Sequence, residues 1–289
     1  MLWVSLALSA ALFLALSDAF LKKALADGNE YYMAWLRLVF SLPLLIMTLF
    51  FIEKPPLDAE FYRVFMISLP LEVLALVLFT KSIQSSPLSL VLPFLALTPL
   101  FQVLFGYLIL GEAVSARGAM GIFFMAAGSY TLNLSHLKKG IFEPFKAVFR
   151  ERGSILMIMV ALIYSITSAL GKAAIMHSSP LFFGATYFTA VGAVFTPVML
   201  LKQRGGMRLP ARATLKYTVL AGLFYSVMLV AHMTALSLAK VAYMIAVKRT
   251  SVLFGVLLGR IMFEESRIKE RFFGAALMLI GLVLISGAR

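Results

Sequence analysis

The chain has 289 residues, 62% of them apolar and only 13% charged, with a formal charge of +13 and no cysteine. Soluble domains run near 45–50% apolar and about 25% charged, so composition excludes a water-soluble core, and the missing cysteines exclude a disulfide framework or a cysteine-ligated metal. The positive charge does not indicate nucleic acid, because the lysines and arginines sit in short loops between long apolar runs, where they set topology and meet anionic lipid headgroups.

A bilayer-spanning helix needs about 20 mostly apolar residues. Runs of that kind predict helices near 2–21, 31–52, 61–82, 87–110 and 117–134, then near 153–175, 181–201, 215–238, 241–263 and 271–287. The first run starts at Leu2 with neither a positive n-region nor a small-residue cleavage site, so it reads as a retained helix. The longest connector, residues 135–152, reads as an amphipathic basic segment between two units, 1–134 and 153–289.

The two units resemble each other at an offset of 153 residues. Leu100, Phe101, Val103, Leu104, Gly106, Glu112, Gly121, Met125 and Gly128 recur as Leu253, Phe254, Val256, Leu257, Gly259, Glu265, Gly274, Met278 and Gly281. Shared leucines could be accidental, but shared Gly and Glu positions across a helix–loop–helix are not readily so. A unit of five helices ends on the opposite side of the membrane from its start, so the second copy enters inverted. Inverted repeats are a frequent plan of secondary transporters, with the site near the midplane.

The segments "GYLILGEAVSARGAMG" and "GRIMFEESRIKERFFGA" resemble the glycine–glutamate signature of EamA-type proteins in the drug/metabolite transporter superfamily. That resemblance implies ten transmembrane helices as two inverted five-helix repeats around a central cavity, working in the cell (inner) membrane by alternating access without ATP. It implies no particular substrate. Sixteen loop lysines and arginines follow odd-numbered helices against six elsewhere, which favours odd loops in the cytoplasm and both termini outside. Many EamA-type exporters instead have both termini inside, so orientation stays open between the two.

An ionisable group at the bilayer centre costs roughly 2.5–3.5 kcal/mol on insertion scales, so it normally faces a cavity or a partner. Lys248 and Arg249, about two turns into the ninth helix, are the clearest pair. Arg249 offers a planar fork for phosphate or carboxylate and Lys248 a point charge beside it; the alternative is an ion pair with Glu72 or Asp18. The pair also resembles the phosphate-binding pair of plastid triose-phosphate translocators, with Tyr225 at the place of their binding tyrosine. The fourth-helix lysine of that family has no counterpart here. Glu72, mid-way along the third helix, is expected either to neutralise Arg37 or to couple protons. Asp18 and Lys22, four apart, are expected to pair. Small multidrug-resistance proteins, also relatives, carry a glutamate mid-way along helix 1; here that centre is apolar, which opposes a cation pump.

Polar residues recur at helical spacing: Arg37, Ser41 and Thr48; Tyr164, Ser168 and Gly171; Tyr225 and His232. Such stripes fit a hydrated cavity or helix–helix packing. Gly255 and Gly259 are expected to pack against Gly106, and Glu112 and Glu265 to cap the helices that follow them.

The candidate substrate-binding residues are Lys248, Arg249, Tyr225, Arg37, His232 and Tyr164, with Glu72 as the proton-coupling candidate. The expected function is secondary transport of a small organic metabolite, anionic through phosphate or carboxylate; the alternatives are export of amino acids or other zwitterions, and translocation of lipid headgroups. The partners expected are that small molecule and membrane lipids, without nucleic acid; a homodimer stays open. No cofactor is called for, and His136, His177 and His232 show no metal or catalytic spacing, so an enzyme is not expected.

Overall fold

The computed structural model describes residues 2–25, 29–85, 91–134, 152–202, 210–263 and 272–288. The chain is helical throughout the described elements: α1 Leu2–Ala24, α2 Glu30–Thr48, α3 Ala59–Ser85, a 3-10 segment Leu92–Leu97, α4 Thr98–Leu110 and α5 Ala116–Leu134. The second half follows as α6 Arg152–Met176, α7 Pro180–Lys202, α8 Arg212–Leu238, α9 Val241–Lys248, α10 Ser251–Phe263 and α11 Phe272–Ser286. Among the described residues, seven helices or helix pairs are long and apolar enough to cross a membrane, and two shorter apolar ones lie at Phe94–Leu110 and Phe273–Ser286. The basic connector 135–151, His136 and Glu265 lie outside the described residues.

Helix ends follow local chemistry. The Asn29 side chain accepts from the Tyr31 N–H at 2.9 Å and the Tyr32 N–H at 3.3 Å, capping α2. At the end of α4, Gly111 takes φ 67° and turns the chain, while the Glu112 N–H returns to the Gly106 carbonyl at 3.1 Å. That left-handed cap is natural to glycine; it belongs to the first copy, since Glu264 stands at the corresponding place of the second.

The packing relates the two halves by a pseudo-two-fold. Helix α1 lies against α8 as α6 lies against α3, and α1 meets α10 as α6 meets α4; α2 pairs with α7 and α5 with α11. The α5–α11 crossing shows the relation at atomic scale. A Cβ built at Gly128 would sit 2.6 Å from the Gly274 carbonyl oxygen, and one at Gly281 would sit 2.7 Å from that of Gly121. Met278 and Met125 flank those two contacts in the same reciprocal way. Residues 153 apart therefore exchange partners across one axis, and the repeated glycines exist because the two backbones touch.

Two expectations are corrected. The ninth run is not one helix: it breaks at Arg249–Thr250 between α9 and α10. Gly106 does not face Gly255 or Gly259; its nearest neighbour is Val241 at the start of α9, and Gly255 has nothing within 4 Å. Helix α9 lies beside both α1 and α4, and α10 continues along α1.

Candidate functional site

The breaks in the two fourth helices of the repeats correspond. Helices α4 and α10 begin at Thr98 and Ser251, again 153 residues apart. Before Thr98 the chain winds as a 3-10 segment carrying Pro93 and Pro99 at or beside its ends, and proline removes a backbone donor. Before Ser251 the same tightening occurs without proline. The Arg249 and Thr250 N–H groups donate to the carbonyls of Ala246 and Val247, each at 3.0 Å, and the Val252 N–H donates to Arg249 at 3.0 Å. Tightened turns inside helices mark functional hinges, and interrupted helices at matching places in inverted repeats border transport sites. Here they touch: Arg249 Nη2 donates to Thr98 Oγ1 at 2.8 Å.

Around that contact the predicted side chains converge. Lys248 Nζ, which has only protons to offer, donates to His232 Nδ1 at 3.2 Å. Arg37 Nη1 donates to Asp18 Oδ1 at 2.9 Å, and its guanidinium lies 4.5 Å over the Tyr225 ring. Gly222, one turn before Tyr225, makes this possible: a Cβ there would meet Phe40 Cβ at 2.5 Å and the Arg37 carbonyl at 2.9 Å. Glu72 sits beside the Thr167 hydroxyl and within Coulombic reach of Lys248. Tyr164 is within reach of Glu72 and Arg249, and Asp18 within reach of Lys248. Three cations and two carboxylates thus share one region, a formal surplus of one positive charge. Asp18 keeps 57% of its side-chain surface accessible there.

Neither Lys248 nor Arg249 has a carboxylate at ion-pair distance among the described residues. The Nε atoms of Arg249 and Arg37 are buried without a hydrogen-bond partner, as are both amide atoms of Gln102, one turn beyond Thr98. A guanidinium bonded at one nitrogen leaves the rest of its fork for an acceptor with two oxygens.

Several pairings differ from those expected. Arg37 is bound to Asp18, not to Glu72, and Asp18 meets Arg37 in place of the expected bond to Lys22. The antiparallel α1–α2 hairpin sets Asp18 and Arg37 at one depth, about two turns from the connecting loop on either side. Ser41 and Thr48 donate to the Leu38 and Leu45 carbonyls, so these members of the α2 stripe satisfy their own helix. Glu112 does not cap α5. It accepts the Val241 N–H at 2.6 Å and therefore caps α9. Sequence reasoning missed Thr98, Thr167 and Gln102 as members of the region; the signal available for Thr98 was a hydroxyl beside Pro99 at the place of Ser251 in the repeat.

Comparison with known proteins agrees with this architecture. A family model described as the EamA-like transporter family matches residues 1–134 and 151–287. A solved crystal structure superposes with a TM-score of 0.79 over 97% of this chain and 95% of the other, at 14% identity, which speaks to the fold alone. No curated protein matches the sequence.

Proposed function

Because the chain belongs to the EamA-like transporter family, and is therefore a multi-pass membrane protein that transports small molecules, we propose that its cargo is a small organic anion bearing phosphate or carboxylate. In this reading ten spans, divided as 1–134 and 153–289 about the connector, form a central cavity in the inner membrane, and the halves alternate its access. Lys248 and Arg249 neutralise the substrate, Arg37 and Tyr225 orient it, Tyr164 and His232 line its place, and Glu72 exchanges a proton with the site.

One observation carries the reading: two adjacent cations stand at the meeting point of the two broken helices without a carboxylate at ion-pair distance among the described residues, and the fork of Arg249 is only partly used. Glu72 in Coulombic reach of Lys248 supports a second reading, a zwitterion with its ammonium on the glutamate. A thermal-shift screen in detergent against sugar phosphates, carboxylates, amino acids and organic cations separates them. A ligand at 100 times its dissociation constant stabilises the fold by about 2.7 kcal/mol. Stabilisation by anions that disappears in Lys248→Ala/Arg249→Ala is expected; stabilisation by cations that survives the double substitution would overturn the anion reading.

A further inference from the structure

One cluster of polar contacts between the halves lies at the end of the bundle where α1 begins and α11 finishes. Lys172, near the end of α6, donates to both Glu112 and the Ala239 carbonyl. Glu112 also accepts the Val241 N–H, and Lys240 Nζ donates to the Ala113 carbonyl at 2.7 Å. Tyr243 reaches back to Ser115, whose N–H donates to the phenolic oxygen at 3.0 Å. Apart from the bond between Lys172 and Ala239, which lies within the second half, these contacts join the α4–α5 turn of the first half to α6 or the start of α9 in the second. The ion pair is enclosed: 9% of the Lys172 side chain and 16% of that of Glu112 are accessible.

The clasp is also tied to the candidate site. Glu112 holds the N-terminus of α9, which is buried from Val241 to Val247, and the other end of that helix carries Lys248 and Arg249 about 10 Å away. A buried helix of this length moves as a rod, so shifting its capped end shifts the cations. On the α6 face, Tyr164, Ser168 and Lys172 follow at four-residue spacing, placing Ser168 between cluster and clasp.

We propose that the Glu112–Lys172 pair is the gate of this end of the transporter: it closes the path here, parts when the site opens to this side, and positions the cations through α9. The inference rests on the alternating-access reading but not on the choice of substrate. Its physical basis is that an enclosed ion pair deprived of one partner leaves an uncompensated buried charge, whereas the same charge in the open state is hydrated. Removing either partner therefore favours the open state.

The chain contains no cysteine, so Ser168→Cys is a sole thiol. Its reaction with a membrane-impermeant maleimide is measured from each face of oriented vesicles, and Lys54→Cys in the exposed α2–α3 loop identifies the clasp face. With the clasp intact Ser168→Cys reacts slowly from that face; in Glu112→Gln or Lys172→Met the rate rises about tenfold or more. Unchanged rates in both backgrounds, with the protein still monodisperse, would make the pair a static brace and overturn the proposal. Hydrogen exchange on the unaltered chain gives a second test. The Val241–Met244 amides are expected to exchange faster than those at the centre of α6; equal protection would again mean a gate that does not open. Because neither measurement uses a substrate, failure of the anion reading and failure of the gate are distinguishable.

Discussion

Gly128→Ala inserts a methyl group where two helix backbones already touch. The new Cβ would lie 2.6 Å from the Gly274 carbonyl oxygen and 2.8 Å from the Met278 nitrogen, against an ordinary contact of 3.4 Å or more. These are backbone atoms, so no rotamer change relieves them, and α5 and α11 must part by roughly 0.6–0.8 Å. Overpacking of this kind costs about 1–3 kcal/mol, offset by about 0.8–1.0 kcal/mol of helix propensity gained from replacing glycine. Gly255→Ala has nothing within 4 Å and keeps the propensity gain alone. The two variants should therefore differ by about 1–3 kcal/mol in thermal unfolding in detergent. Gly281→Ala, whose Cβ would meet the Gly121 oxygen at 2.7 Å and the Met125 nitrogen at 2.8 Å, should fall with Gly128→Ala. If Gly128→Ala proved as stable as Gly255→Ala, or Gly281→Ala behaved unlike Gly128→Ala, the pseudo-two-fold crossing described here would be wrong.

Arg249→Lys keeps the charge but loses the fork; a charge-assisted hydrogen bond is worth about 1.5–3 kcal/mol, so anion affinity should drop roughly 10- to 150-fold in a direct binding assay. An unaltered dissociation constant would remove Arg249 from the site. Tyr225→Phe should retain the ring beneath Arg37, whereas Tyr225→Leu should lose about 0.5–2 kcal/mol of cation–π attraction; equal melting of the two would mean that the stacking contributes nothing. Outside the membrane, the Asp58 carboxylate accepts the Phe61 N–H at 2.9 Å and faces His177 Nδ1 at 2.7 Å, and these bonds, that from Phe61 foremost, hold its pKa below the usual aspartate value. The stability it adds is present above that usual value and is lost as pH falls through the lowered one. The melting difference between the native chain and Asp58→Asn should hold steady above about pH 5 and shrink below about pH 4; a difference as large at pH 3 as at pH 7 would contradict the assignment.

What the sequence determined by itself follows from the solvent. A bilayer requires long apolar runs whose backbone groups are satisfied within the helix, so nearly every helix is legible from hydropathy to within a few residues. The duplication was legible too, because a side chain at Gly128 or Gly281 would press on a backbone oxygen of the facing helix, which favours glycine at the same place in both copies. The identities of the buried cations were equally plain, since a charge is conspicuous among leucines. Their partners were not. The sequence reading set Arg37 against Glu72 and Asp18 against Lys22, and only the depth match across the α1–α2 hairpin brings Arg37 to Asp18. The break at Arg249–Thr250 carries no proline and leaves no local mark; only the structure shows it, between α9 beside α1 and α4 and α10 along α1. Glu112 shows the same division most clearly. The sequence placed a carboxylate after a left-handed glycine, but its target lies 129 residues onward at Val241, and only the inverted packing of the halves brings that N–H within reach.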